Sequence, residues 1–225
     1  MQRNRAILER ERIPAFVEVA SVPDLASGIV TVAQAHGFAG LSSNSVMLGW
    51  PKQPTLEHVT RQVSLIRELA ACHKSTLVFR PGDRPPRPEG PVVLWWKGKE
   101  SNGDLMLLLA HLLALDPSWR GTEIILKSIV DDPDAAAARQ QELDRMLPEV
   151  RIHARMELIV KPQNETVNQV IRRQSVGARL VFLGLRSVSE QDEKAYADAL
   201  GRSVEGLTDV LLVRNAGPFR GTLVG

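Results

Sequence analysis

Residues 90–115, GPVVLWWKGKESNGDLMLLLAHLLAL, decide the fold. Val92, Val93, Leu94, Trp95 and Trp96 form an apolar run without alternation, the pattern of a strand buried on both faces in a parallel sheet. Lys97 to Ser101 is a polar loop. Asn102 then stands where an N-cap is expected, with Asp104 in the first turn, where the helix dipole favours negative charge. The following helix carries Leu105, Met106, Leu107, Leu108, Leu109, Leu112, Leu113 and Leu115 nearly all the way round. A helix with no polar face requires cover on several sides, so the stretch predicts a strand–loop–helix unit with a partner.

Working outward, the same alternation continues in both directions. Ala15–Val22 reads as a first strand, followed by a helix opened by Pro23 and Asp24 and running to about His36, with Leu25, Ile29, Val32 and Ala33 on one face. Gly37–Asn44 is rich in turn residues. Ser45–Trp50 reads as a buried strand, and Thr55 caps a long amphipathic helix with Val59, Val63, Ile66 and Leu69 inward. Thr76–Phe79 is the next strand. Downstream, strands are predicted at Glu123–Val130, Arg151–Val160 (alternating, hence at an edge), Arg179–Leu185 and Asp209–Arg214, with Thr222–Val224 as a further edge piece. Helices are predicted from Asp131 to about Leu147, at Glu165–Gln174 and at Glu190–Val204. Strand and helix in strict succession argue for an α/β fold with mainly parallel sheets flanked by helices. Residues 80–91 hold five of the fourteen prolines in twelve positions. They mark a linker at 81–91 between a first α/β subdomain, 1–80, and a second, 92–225, or else a seam within one sheet.

Composition narrows the function. The chain has 225 residues, 44% hydrophobic and 24% charged, the balance of a globular protein. The longest apolar run, Leu105–Leu115, is interrupted by His111 and is about half of the ~20 residues that span a bilayer. The first sixteen residues lack the apolar core of a signal peptide. A single cysteine, Cys72, precludes an internal disulfide framework. A net charge of +2 gives no electrostatic case for nucleic acid, and Arg3, Arg5, Arg10 and Arg12, interrupted by Glu9 and Glu11, read as a solvated or juxtamembrane lead-in. Asp131, Asp132 and Asp134 follow a strand but read as helix capping with Pro133 at the first helical position, so no metal site is expected. The five histidines lack metal spacing. His111 reads as a core residue, and Cys72 has no Cys-x-x-Cys partner. Neither a G-x-S-x-G elbow, a Walker A loop nor an H-E-x-x-H motif occurs, and no catalytic residue or cofactor is assigned.

Two resemblances follow from longer stretches. Leu180–Arg214 resembles the closing unit of the universal stress proteins, which place three spaced glycines, the last followed by Ser or Thr, around ATP phosphates. Gly184 matches the first of these, Ser187 replaces the second, and Gly201 comes later than the third and is separated from Ser203 by Arg202. Gly184, Ser187, Gly201 and Ser203 are thus the nucleotide-binding candidates that this resemblance implies, with ATP as their ligand, and the altered spacing disfavours a phosphate nest.

Three further stretches are together similar to the C-terminal cytoplasmic domain of the cation-chloride cotransporters, within the amino acid–polyamine–cation superfamily. In PDLASGIVTVAQAHGFAGLSSNSVMLGWP the matching residues are Asp24, Leu25, Gly28, Gln34, Ala35, Gly37, Asn44, Leu48 and Gly49. In VVLWWKGKESNGDLMLLLAHLL they are Trp95, Trp96, Gly103 and the leucine run, and the third stretch is YADALGRSVEGLTDVLLVRNAG. The chain lacks the long regulatory insertions of animal cotransporters, as a prokaryotic homologue would. The resemblance implies two universal-stress-protein-like α/β units forming a non-catalytic regulatory domain at the cytoplasmic side of the membrane, as part of an integral membrane protein. Its implied partners are its own transmembrane transport domain and a second copy in a homodimer. Leu107, Leu108, Leu112 and Leu115 are expected near that interface. A stand-alone nucleotide-binding stress protein is the alternative.

Overall fold

The computed structural model describes residues 2–38, 41–83, 87–97, 102–132 and 153–219. Its centre is the strand predicted first: β5 (Val92–Trp95) is buried at every position. Around it lies a seven-stranded sheet in the order β3-β4-β9-β8-β5-β6-β7. Its members are β3 (Ser45–Gly49), β4 (Ser75–Arg80), β6 (Ile124–Val130), β7 (Arg155–Val160), β8 (Leu180–Gly184) and β9 (Val210–Arg214). Strands β5 to β9 run parallel, with Leu94 opposite both Leu126 and Phe182. β3 and β4 are parallel to each other. β4 meets β9 antiparallel, with Val78 opposite Leu212. The fold is α/β, a mostly parallel sheet flanked by helices, and the part before residue 81 joins the part after 91 through this antiparallel seam in one continuous sheet. A separate small hairpin, β1 (Gly37–Phe38) with β2 (Leu41–Ser42), precedes β3.

The strands alternate their side chains between two cores. On one face Val93, Trp95, Val181, Leu183 and Leu212 pack with helices α3 (Leu56–Ala71), α5 (Val167–Gln174) and α6 (Glu193–Val204). Trp95 also donates its indole N–H to Ser175 Oγ at 3.0 Å, tying β5 to the end of α5. On the other face Val92, Leu94, Phe182, Leu211 and Val213 pack with α4 (Gly103–Leu115). The cap of α3 is as expected from Thr55, and α5 is capped by Thr166, which forms a capping box with Gln169. Helix α2 (Leu25–Ala35) is capped by Asp24 and lies against α3, burying Ala33 beside Leu65 and Leu69.

Four expectations are corrected. Ala15–Val22 has no regular secondary structure and pairs with no strand among the described residues, and Phe16 and Val19 are exposed. Its valines and phenylalanine favour a strand, but a strand exists only where an edge receives it, and among the described residues β3 pairs with β4 alone. β3 itself is not buried but at the sheet edge, with Met47 exposed. On α2, Leu25 and Val32 face solvent, so the inward stripe is narrower than its apolar residues. Asn102 precedes α4 but makes no side-chain cap. The residue before the first helical turn is instead committed elsewhere in the fold. β7 lies at the opposite edge, as its alternation indicated. The expected helix after Asp132 and the piece at 222–224 lie outside the described residues. Residues 2–10 form an exposed helix, α1 (Gln2–Arg10).

Candidate functional site

In the parallel part the order β9-β8-β5-β6-β7 places the chain's successive strands to one side of β5 and then, from β8, to the other. The direction reverses between β5 and β8, and open α/β sheets bind ligands in the crevice outside the carboxyl ends at such a point. Asn102 stands at that point, bonded across the strand ends. Its Nδ2 donates to Leu185 O at 2.8 Å, and its Oδ1 accepts from the Asn215 N–H at 2.8 Å. One side chain thereby clamps the ends of β8 and β9. Gly184 lies beside it, and a Cβ there would come 3.0 Å from Asn102 Nδ2, close enough that the amide must shift. The Trp96 ring packs on the start of α4, so near that a Cβ on Gly103 would lie 2.3 Å from it.

The nucleotide candidates do not converge. Gly184 ends β8 and Ser187 follows it in the loop. Gly201 lies eight residues into α6, about 12 Å along its axis, and a Cβ there would meet nothing within 4 Å. Ser203 donates its hydroxyl to Leu200 O at 2.8 Å within the same helix. Ser187 and Gly201 instead line two different clefts at opposite ends of α6.

The first of these clefts, about 280 Å³, lies between α3, α6 and the loop after β8. Arg67, Arg186, Arg214, Ser187 and Tyr196 line it over an apolar floor that includes Ile66. Arg67 donates to Glu193 Oε1 at 2.6 Å, and Ser64 also donates to that carboxylate. Burial raises the Glu193 pKa, but the Ser64 and Arg67 hydrogen bonds outweigh it and hold the carboxyl below its ordinary value. Tyr196 is pushed up by burial, against the Arg186 N–H it accepts at 3.2 Å and the charges of Arg186 and Arg214. The Arg186 guanidinium also lies over the Tyr196 ring, 4.7 Å from its centre.

Of the interface candidates, Leu107 is fully buried in the core under α4 and Leu108 is half-buried. Leu112 is 52% and Leu115 66% exposed, so the outer end of the helix presents an apolar surface. Among the described residues no group of three or more His, Cys, Asp or Glu side chains could hold a metal, and no helix is long and apolar enough to cross a membrane. Cys72 Sγ accepts a hydrogen bond from Gln34 Nε2 at 3.0 Å.

No protein-family model matches the sequence. Solved structures do share its fold. The cytoplasmic domain of a prokaryotic cation chloride cotransporter is similar with a TM-score of 0.69 and 14% identity, over 96% of this chain and 80% of that one. A functionally unknown protein from Pseudomonas aeruginosa PAO1 gives a TM-score of 0.54 at 16% identity, over 99% and 79% of the two chains. A Pseudomonas aeruginosa UCBPP-PA14 protein assigned to the universal stress proteins gives 0.53 at 16%, over 94% and 77%. At these identities the likeness is one of fold.

Sequence reasoning missed both the Asn102 clamp and the arginine-lined cleft. Asn102 carried a signal, but the wrong local motif absorbed it. Arg67, Arg186 and Arg214 are 119 and 28 positions apart (186 − 67 and 214 − 186), and no spacing rule joins them.

Proposed function

We propose that this chain is the cytoplasmic regulatory domain of a membrane transporter similar to the cation-chloride cotransporters. The observation that carries the reading is the similarity of fold to such a domain over nearly the whole chain. The three matching stretches, in the same order along the sequence, support it independently. In this reading the domain is non-catalytic and lies on the cytoplasmic side of the membrane. It acts by packing against a second copy and against its transport domain, the first subdomain being residues 1–80 and the second 92–225, joined by the linker at 81–91. A signal that favours one packing then shifts the transporter between conformations by the difference in its affinity for the two. The apolar outer end of α4, at Leu112 and Leu115, is the surface proposed for the twin.

An immunoblot of membrane and soluble fractions from the native organism tests this. A membrane band far heavier than 24.8 kDa supports the reading, and a soluble band at that mass refutes it. For the dimer, light scattering of Leu112→Asp is expected to show a folded monomer. A folded dimer would remove α4 from the interface.

A second reading, a stand-alone nucleotide-binding stress protein, draws on the fold shared with the assigned universal stress protein. It predicts saturable ATP binding to the soluble chain, which the separation of Gly184 from Gly201 and Ser203 in α6 disfavours.

A further inference from the structure

We propose that the open edge of β3 is an interaction surface for a second copy of this chain, which lays its residues 15–22 along that edge as a further strand while receiving the same segment in return. The inference deepens the reading above, in which the domain pairs with a twin, and it starts from the two edges of the sheet. β7, at one edge, is defended against strand addition by charge: Arg155 and Glu157 lie on it, 2.8 Å apart, and pair further with Glu123 and Lys127. β3, at the other edge, has neither charge nor proline. The Ser75 N–H donates to Asn44 O and the Trp50 N–H to Phe79 O, which fixes the alternation of the ladder. Asn44, Val46, Leu48 and Trp50 turn their backbone groups to β4, and Ser45, Met47 and Gly49 turn theirs to the open side. Gly49 O is taken by Gln62 Nε2 at 3.0 Å, which leaves the N–H and C=O of Ser45 and Met47 for a strand.

The chain carries a segment of matching character. Ala15–Val22 (AFVEVASV) is rich in strand-forming residues, and among the described residues the backbone of Phe16–Val22 makes no hydrogen bond. Phe16 is fully exposed and Val19 is 70% exposed. In its own copy the segment runs along α2 and not along β3. Val22 lies so near Gly28 that a Cβ there would fall 2.6 Å from it, and residues 15–18 share a cleft with Ala35–Gly37. The β3 edge is therefore open to the segment of a twin. A strand seated there gains main-chain hydrogen bonds at Ser45 and Met47 and brings apolar side chains beside Ile29, Val30, Val46 and Leu48, which are half-buried on one face of that edge. Reciprocity doubles the contact. Phe16 alone buries about 150–250 Å² in each copy, a substantial share of the ~1,000 Å² that a stable interface requires.

The test is hydrogen exchange read by mass spectrometry on the whole chain at high and low concentration, with light scattering for the mass. The expected result is a dimer in which residues 15–22 and 45–49 exchange slowly and lose that protection together on dilution. Val19→Pro falls in a segment that makes no hydrogen bond, so the fold is kept, and it is expected to weaken the dimer about tenfold through one lost main-chain hydrogen bond. Met47→Pro removes an N–H that β4 does not use, at an edge position that tolerates proline, and is expected to do the same. A dimer in which both segments exchange as fast as in the dilute chain overturns the strand exchange and leaves the twin standing. Protection that persists unchanged in the dilute monomer places the segment on its own copy and overturns the exchange too. So do proline variants that dimerise as tightly as wild type, and a chain monomeric at every concentration removes the twin as well. A soluble 24.8 kDa band in the fractionation refutes the transporter reading without touching this contact.

Discussion

Replacing Asn102 by alanine tests whether the ends of β8 and β9 are held together by that one side chain. The change removes two hydrogen bonds of 2.8 Å, one to Leu185 O and one from the Asn215 N–H. Leu185 O keeps a longer contact with Arg214 at 3.5 Å, so losing the first bond costs about 1 kcal/mol. Asn215 is fully buried, and its N–H loses its acceptor, a penalty of about 1–3 kcal/mol. The sum is about 2–4 kcal/mol. Urea unfolding followed by circular dichroism reads this directly: with a slope of about 3 kcal/mol per molar, the midpoint falls by roughly 1 M. Gly184→Ala sharpens the test, because its new methyl would lie 3.0 Å from Asn102 Nδ2. Alanine at Gly184 is expected to cost about 1–3 kcal/mol alone and less in the Asn102→Ala background. A loss below about 0.5 kcal/mol for Asn102→Ala, or strict additivity of the pair, would refute the clamp.

Other expectations concern the helix and its surroundings. Leu107→Ala should lose about 2–5 kcal/mol in the same unfolding assay, because Leu107 is completely buried, whereas Leu112→Asp should leave the midpoint of the isolated chain nearly unchanged. Gly103→Ala should cost about 1–3 kcal/mol, since its methyl would enter the Trp96 ring, and tryptophan fluorescence should report the displaced indole. Glu193 has a folded pKa below its ordinary value, so its contribution is fully present above about pH 4.3 and is lost as the pH falls through the lower folded value. Glu193→Gln should therefore lower stability at neutral pH and flatten the acid limb, and a parallel pH profile for variant and wild type would count against the Ser64–Glu193–Arg67 cluster.

Much of the architecture was legible in the residues themselves. Val92–Trp96 had to be buried on both faces, and β5 proved the middle of the parallel array. The caps at Asp24 and Thr55 stand where local hydrogen bonding places them. These features depend on neighbours a few positions away, which the order of residues records. The edge position of β7 was readable for the same reason, from its alternation.

What depends on distant partners was decided only in three dimensions. Ala15–Val22 has the pattern of a strand and finds no edge, while Ser45–Gly49 has an apolar run and becomes one. The antiparallel junction of β4 with β9 joins segments 130 residues apart, counting from Arg80 to Val210, through backbone groups that every residue carries alike. The candidate site shows the same division. A resemblance joined Gly184 and Gly201 in one motif although their spacing disfavoured it, and Gly201 lies within α6 while Gly184 ends β8. Asn102 looked like a cap and became a clamp, because Leu185 and Asn215 offered it better-placed partners than its own helix. Arg67, Arg186 and Arg214 share a cleft only because α3 packs beside α6. Sequence determines which elements can form; the packing of those elements determines which side chains meet.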